Sequence, residues 1–192
     1  MQKIIVPLAS GFEEIEACTI IDVLRRAELN VVTVGLDSKS VCGSHGIVME
    51  CDDLFENILL NDVDAIVLPG GMPGVTNLLA SQVLKEMIVE LNRNKKCVAA
   101  ICAAPWVLAD AGVLDAKKAT CYPKFAEKLC KSNYSENKVV LDGNIITSRG
   151  VGTALDFSLT LVQYLKSPVV ANSLAEQMLV RWTADEHEGC SK

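Results

Sequence analysis

The sequence predicts a doubly wound α/β fold, a mostly parallel sheet covered by helices on both faces. Three observations carry this. Short, near-continuous apolar runs of strand length recur along the chain, as in strands buried on both sides. Amphipathic stretches of helical period lie between them, so the order is strand, helix, strand, helix. With 192 residues, half of them hydrophobic and 22% charged, the chain is sized for one compact domain with a substantial core.

Taken in order, "KIIVPLA" (Lys3 to Ala9), "VVTVGL" (Val31 to Leu36), "DAIVLPGG" (Asp64 to Gly71) and "CVAAIC" (Cys97 to Cys102) read as strands. Helical patterns run from Glu13 to Glu28, Thr76 to Arg93 and Ala103 to Ala111. "KVVLDGNIITSRG" (Lys138 to Gly150) reads as two strands joined by a turn at Asp142-Gly143. Two further helices are expected, Thr153 to Leu165 and, after Ser167-Pro168, Val169 to Arg181. One domain is expected over residues 1–182, followed by a loose tail over 183–192.

Composition removes several function classes. The formal charge is −6 and the basic residues are scattered, so no face is suited to a nucleic-acid backbone. The longest apolar run, Cys97 to Ala109, is broken by Pro105 and falls short of the roughly 20 residues of a spanning helix, so no membrane partner is expected. The first residues lack a signal-peptide core, and the chain reads as cytoplasmic. Its eight cysteines include no C-x-x-C pair and there are only two histidines, so neither a disulfide framework nor a metal site is expected. Most of the cysteines read as small buried hydrophobes.

Ligands of open α/β sheets bind beyond the carboxyl ends of the strands. That rule selects three loops: Ser10-Gly11-Phe12-Glu13, the "PGGMPG" of Pro69 to Gly74, and Cys102-Ala103-Ala104-Pro105. Pro105 suits the first turn of a helix, which puts Cys102 on a sharp strand-to-helix turn beside small residues. Unpaired N–H groups there favour a thiolate, the nucleophilic form. A buried structural cysteine fits the local pattern equally well. On a helical wheel, Ile20, Val23, Leu24 and Ala27 form the apolar stripe of the first helix, and Glu16 projects into it. Glu13 falls nearby in the loop or first turn, and Glu14 falls off the stripe. Burial would raise the pKa of Glu16 and keep it protonated, able to donate to a thiolate or to shuttle a proton. The alternative is that Glu16 reaches solvent or meets a basic side chain. The glycines of "PGGMPG" could aim N–H groups at an oxyanion, although a plain tight turn explains them as well.

These motifs together resemble the DJ-1/PfpI superfamily, most closely its DJ-1 and YajL branch. The resemblance runs through "GFEEIEA" (11–17), "DVLRRA" (22–27), "VLPGGMPG" (67–74), "AAICAAP" (99–105), "KKATCYP" (117–123) and "LDGNIITSRGVGTALDFSL" (141–159). It implies a flavodoxin-like sandwich and a homodimer. It also implies Cys102 as the reactive nucleophile, Glu16 as its protonated partner, and the amides of Gly71 and Ala103 as an oxyanion pocket. Two positions depart from the pattern: Tyr122 stands where several relatives have histidine, and Gly150-Val151-Gly152 replaces a Gly-Pro-Gly. Tyr122 is then the candidate for an accessory proton-transfer role. The protease-like branch follows its cysteine with histidine, so Ala103 speaks against protease activity. His45, in a region where relatives often carry arginine, either helps to bind an anion or is an exposed loop residue. His187, between Glu186 and Glu188, offers a weak likeness to part of an amidotransferase triad.

The function implied is cofactor-free chemistry on small dicarbonyls such as methylglyoxal and glyoxal, giving hydroxy acids, or release of the same carbonyls from glycated adducts. The alternative is a non-catalytic sensor of oxidative stress, or a redox-regulated chaperone, built on an oxidisable Cys102. A thiamine-related role ranks last, because no residues for thiazole or phosphate binding are visible.

Overall fold

The protein is described from a computed structural model over residues 3–184. In chain order the strands are β1 Lys3–Leu8, β2 Asn30–Gly35, β3 Ser40–Cys42, β4 Val48–Glu50, β5 Asp53–Leu54, β6 Ala65–Leu68, β7 Cys97–Ile101, β8 Lys118–Ala119, β9 Asn133–Tyr134, β10 Val139–Asp142 and β11 Ile145–Ser148. The α-helices are α1 Glu14–Arg26, α2 Gly74–Ala80, α3 Gln82–Arg93, α4 Pro105–Asp110, α5 Ala154–Leu165 and α6 Pro168–Gln177. Seven strands form the main sheet in the order β10-β11-β7-β6-β1-β2-β5. Every pairing in it is parallel except that of edge strand β10 with β11. The architecture is the expected mostly parallel sandwich. Among the described residues, no helix is long and apolar enough to cross a membrane.

Alternation along the strands explains the continuous apolar runs. Ile4, Val6 and Leu8 of β1, Ala65 and Val67 of β6, and Ala99 and Ile101 of β7 face one core, shared with α1, α5 and α6. Ile5, Ile66, Leu68, Val98 and Ala100 face the other, shared with α2, α3 and α4. All of these strand residues are fully buried, and each large aliphatic side chain contributes roughly 1.5–3 kcal/mol on leaving water. Strands covered on both faces have no polar side, which is why period-2 patterning is absent from the sequence.

The helices differ from expectation where capping intervenes. The single helix expected over residues 76–93 is two, because Ser81 adopts extended backbone (ψ 103°) and its side chain accepts the Leu84 N–H at 3.3 Å. The last helix starts one residue early, at Pro168, and stops at Gln177. Ser167 caps its start, accepting the Val170 N–H, and Leu179 beyond its end has a positive φ of 58°. The antiparallel hairpin β3-β4, the edge strand β5 and the small β8-β9 pair had no strand reading in the sequence. At the far end, Trp182 and Ala184 are buried, and the Ala184 N–H donates to the Asn172 side chain. Of the expected tail, residues 185–192 lie outside the described residues.

Strand β1 has β2 on one side and β6 on the other, so the connections leaving β1 and β6 run in opposite directions. The crevice between their carboxyl ends is where such a sheet offers a site.

Candidate active site

All three loops selected from the sequence converge on that crevice. The Glu13 N–H donates to the Gly70 carbonyl at 2.9 Å and the Gly74 N–H to the Gly11 carbonyl at 3.1 Å, tying the β1 loop to the β6 loop. Gly71 has φ 96°, and a Cβ on it would run into the backbone of Phe12 and Glu13, so this close approach admits only glycine. A Cβ on Gly70 would lie 2.7 Å from Cys102 Cβ and 2.8 Å from Glu16 Oε2. The missing side chain of Gly70 is therefore the space in which the cysteine and the carboxylate meet.

Cys102 follows β7 and precedes α4, at the turn expected, with a φ of 64°. A non-glycine residue in this region costs on the order of 1–3 kcal/mol and persists only where its surroundings hold it. Here the Cys102 N–H continues the β7-β11 ladder, donating to the Ser148 carbonyl at 3.0 Å, and the Cys102 carbonyl accepts the Tyr122 N–H at 2.8 Å. The backbone is clamped on both sides, and the half-buried sulfur is held over the loops. The Ala103 N–H acts on the sulfur in the direction that favours thiolate.

Glu16 is fully buried in the first turn of α1. Its N–H donates to Glu13 Oε2 at 2.7 Å, so Glu13 caps the helix, and its Oε2 accepts the Gly70 N–H at 2.8 Å. Oε1 is buried with no hydrogen-bond partner among the described residues, and the neighbouring side chain that acts to lower the carboxyl pKa is the Cys102 thiol. Burial pushes the Glu16 carboxyl up to about 7, against the lowering effect of the Gly70 N–H. The Cys102 thiol is also pushed up, first by burial and then by the Glu16 carboxylate, while the Ala103 N–H pulls it down. The helix-terminus argument from sequence, which lowers this thiol, is outweighed by burial and, while Glu16 is ionised, by its charge as well. Once Glu16 carries the proton, its charge is gone and its O–H is a donor to sulfur. The two groups therefore titrate as a pair sharing one proton.

The remaining predicted positions divide. Ala103 follows Cys102 directly and Gly71 follows Gly70, the glycine against Cys102 Cβ, and among the described residues neither of their N–H groups donates to a carbonyl. Tyr122 is also at the site. A Cβ on Gly150 would lie 3.4 Å from Tyr122 Cδ2 and 3.9 Å from Cys102 Sγ, so the tyrosine ring and the sulfur flank the same glycine. His45 is elsewhere, in the exposed turn between β3 and β4. Its ring nitrogen Nδ1 lies 2.9 Å from Glu14 Oε2, and its N–H donates to Glu14 Oε1. Glu14, read from the wheel as lying off the apolar stripe, is buried because this turn covers it. Burial acts to raise its pKa, but the His45 hydrogen bonds prevail and hold it at about 2. Glu13, Glu14 and His45 each bring a possible ligand atom within 4.8 Å of the others, and these atoms are already used in the helix cap and the Glu14–His45 pair. His187 lies outside the described residues.

Of the seven cysteines described, Cys51, Cys97 and Cys121 are the expected buried hydrophobes, pushed up to about 11, 12 and 11 by burial. Cys18, Cys42 and Cys130 are exposed, contrary to the general expectation, because they lie on outer helix, hairpin and turn surfaces. Cys102 alone among these seven has a buried carboxyl bearing on its sulfur together with an Ala103 N–H acting on it.

Comparison with known proteins agrees with this fold. Residues 2–164 match the DJ-1/PfpI family. The chain is 42% identical over 163 residues to protein DJ-1 homolog B of Arabidopsis thaliana, covering 84% of this chain and 37% of that protein. It spans 47% of the related Arabidopsis homolog A, so it matches less than half the length of either. A glutathione-independent glyoxalase of Caenorhabditis elegans, DJR-1.2, is 32% identical over 86% of this chain and 89% of its own. Among solved structures, oxidized Toxoplasma gondii DJ-1 superposes with a TM-score of 0.89 at 36% identity, covering 95% of this chain and all of that one.

Proposed function

The chain belongs to the DJ-1/PfpI family, and from that premise we propose that it is a cysteine-dependent, cofactor-free enzyme that converts small α-oxoaldehydes to 2-hydroxy acids. The observation that carries this reading is the Cys102–Glu16 pair: a sulfur on a strained turn beside a buried carboxyl with a pKa of about 7. A carboxyl poised there gives and takes a proton at neutral pH, as general acid–base catalysis requires. The glyoxalase activity named for the worm relative supplies the substrate class.

In this mechanism the Cys102 thiolate attacks the aldehyde carbon, forming a C–S bond, and the aldehyde oxygen takes up a proton to give a hemithioacetal. The N–H groups of Gly71 and Ala103 stabilise the oxyanion as it develops. Glu16 removes the proton from the former aldehyde carbon and returns it to the neighbouring carbonyl carbon, through an enediol. The aldehyde carbon is thereby oxidised to a thioester and the ketone carbon reduced to an alcohol, with no external redox partner. Water then hydrolyses the thioester, releasing a 2-hydroxy acid and the thiol. Release of the same carbonyls from glycated amines or thiols would use the same first step. A cytoplasmic homodimer is part of the proposal. Ile15 on α1 and Ile47 and Val48 on the hairpin leave apolar side chains in solvent, which a second copy could cover.

The test is methylglyoxal turnover in glutathione-free buffer. Cys102→Ser should lose roughly 10³-fold or more of kcat, as expected for removal of a nucleophile, and Glu16→Gln roughly 10²- to 10⁴-fold. Equal turnover by wild type and Cys102→Ser would end the reading. A second reading, an oxidation sensor or redox-regulated chaperone, is favoured by one observation: the same Glu16 carboxyl, when protonated, could donate to a sulfinate at Cys102. Peptide mass spectrometry after mild peroxide tests it, and equal oxidation at all cysteines counts against a sensor.

A further inference from the structure

The surroundings of the sulfur select more narrowly than "small dicarbonyl". Tyr122 is 48% exposed, and its ring lies against Gly150, the residue that also borders Cys102 Sγ. From Tyr122 a row of rings leads away. Phe125 lies 6.4 Å from it, tilted by 54°, and Trp106 is stacked on Phe125 at 6.0 Å. Lys128 covers the far end, 4.6 Å above the Trp106 ring. The residues that follow the two site glycines are apolar and open to solvent as well, Met72 after Gly71 at 43% and Val151 after Gly150 at 40%. Tyr122 flanks the glycine that borders the sulfur, and Met72 and Val151 follow glycines of the site loops; apolar side chains left in water on neighbouring loops form a rim with a use.

Charge points the same way. The charged groups that bear most on the sulfur are the carboxylates of Glu16 and Glu13. Arg149, next to Gly150, is turned away, donating to the Glu136 carbonyl at 2.7 Å. An anionic substrate would thus meet carboxylates and apolar surface, with its own charge losing water and gaining no partner. A neutral substrate with a flat, apolar substituent would cover Tyr122 and Val151 and gain ring contact in offset or edge-on geometry.

We propose that Tyr122, with Val151 and Met72, forms a specificity rim that directs Cys102 toward neutral α-oxoaldehydes bearing aryl or bulky apolar substituents and away from anionic carbonyl compounds. This rests on the reading of Cys102 as the nucleophile for such carbonyls, and it deepens that reading by naming the substituent. Tyr122 acts through its ring face, so its hydroxyl is dispensable.

The experiment has two arms. In the first, kcat/KM is measured for phenylglyoxal and methylglyoxal. Wild type should favour phenylglyoxal, and Tyr122→Ala should lower the phenylglyoxal-to-methylglyoxal ratio about tenfold, whereas Tyr122→Phe keeps it. In the second, which needs no turnover, Cys102 alkylation by phenacyl bromide, iodoacetamide and iodoacetate is followed by peptide mass spectrometry, with each rate divided by that of glutathione. Phenacyl bromide should exceed iodoacetate by tenfold or more, and Tyr122→Ala should remove most of that preference. Val151→Lys, a change at an exposed position, should raise the iodoacetate rate several-fold at low salt and lose the gain at high salt. If Tyr122→Ala keeps both wild-type ratios, or if iodoacetate reacts as fast as phenacyl bromide, the rim is refuted. If the alkylation preference holds and depends on Tyr122 but neither oxoaldehyde is turned over, the rim stands and the enzymatic reading fails.

Discussion

Replacing Glu16 by glutamine should change how stability depends on pH. Burial holds the folded carboxyl at about 7, against 4.5 for the free group. Between those values the folded protein binds a proton that the unfolded chain has released, so wild-type stability falls as pH rises through this window. The difference is about 2.5 pH units, and at 1.36 kcal/mol per unit it amounts to about 3 kcal/mol lost between roughly pH 4.5 and 7. The sign does not depend on which atom keeps the shared proton. If Cys102 rather than Glu16 ionises near pH 7, the pair has still lost its first proton there instead of near 4.5. Glu16→Gln keeps an oxygen for the Gly70 N–H and has nothing to titrate, so the variant-minus-wild-type stability difference should grow by about 3 kcal/mol across the window. Urea denaturation at half-unit steps from pH 4 to 8, at one protomer concentration, measures this, and contributions from other groups cancel in the difference. Parallel curves for the two proteins would show that the carboxyl is solvated or fully paired, and the proton-sharing site would have to be abandoned.

Gly70→Ala places a methyl group 2.7 Å from Cys102 Cβ and 2.8 Å from Glu16 Oε2. It should cost about 1–3 kcal/mol of stability by overpacking and, by parting the pair, about 10²-fold in methylglyoxal turnover; turnover at the wild-type level would mean that the two groups need not touch. Glu14→Gln should flatten the acid limb of stability. The Glu14 carboxyl, held at about 2 against 4.5, contributes stability that is present above pH 4.5 and lost as pH falls toward 2. The urea midpoint of the variant should drop less than that of wild type between pH 5 and 3, and an equal drop would refute the link to His45. Ser81→Ala removes the cap between α2 and α3 and should lower stability by about 1 kcal/mol without touching turnover; a change in kcat would mean that this break is coupled to the site.

What the sequence made legible follows from which forces act locally. The long strands show themselves because burial on both faces leaves near-continuous apolar runs, and Asp142-Gly143 marks its turn, with Gly143 at φ 66°. Cys102 and Glu16 were legible for separate reasons, a small-residue turn before Pro105 and a carboxylate on an apolar stripe. That they meet came only from the family resemblance, since their sequence separation hides it, and in the structure Gly70 lies between their side chains. The burial of Glu14, off the apolar stripe, was not legible because a helical wheel describes one helix face. The covering surface came from the β3-β4 turn, whose strands are three residues each and too short to leave a pattern. The split at Ser81 was hidden for a similar reason: the apolar period continues across it, while one side-chain oxygen decides the backbone. The ring row from Tyr122 to Trp106 joins a short helix to a 3-10 segment, Pro123–Leu129, and no periodicity links them.

A reactive cysteine on a strand-to-helix turn is usually explained by the turn alone, and here that explanation is insufficient. Helix α4 has six residues, and the half-buried sulfur loses more by desolvation than one Ala103 N–H returns. With Glu16 ionised the thiol is held protonated, so the turn by itself would leave an inert cysteine. Burying the carboxyl under the α1 stripe changes the outcome, because a Glu16 with a pKa of about 7 can take the proton that the sulfur gives up and return a hydrogen bond to it. The strained φ of Cys102, the missing side chain at Gly70 and the Glu13 cap that fixes the start of α1 then have one common effect. Each sets how close sulfur and carboxyl stand, and proton sharing between them depends on that distance more steeply than on anything in the turn.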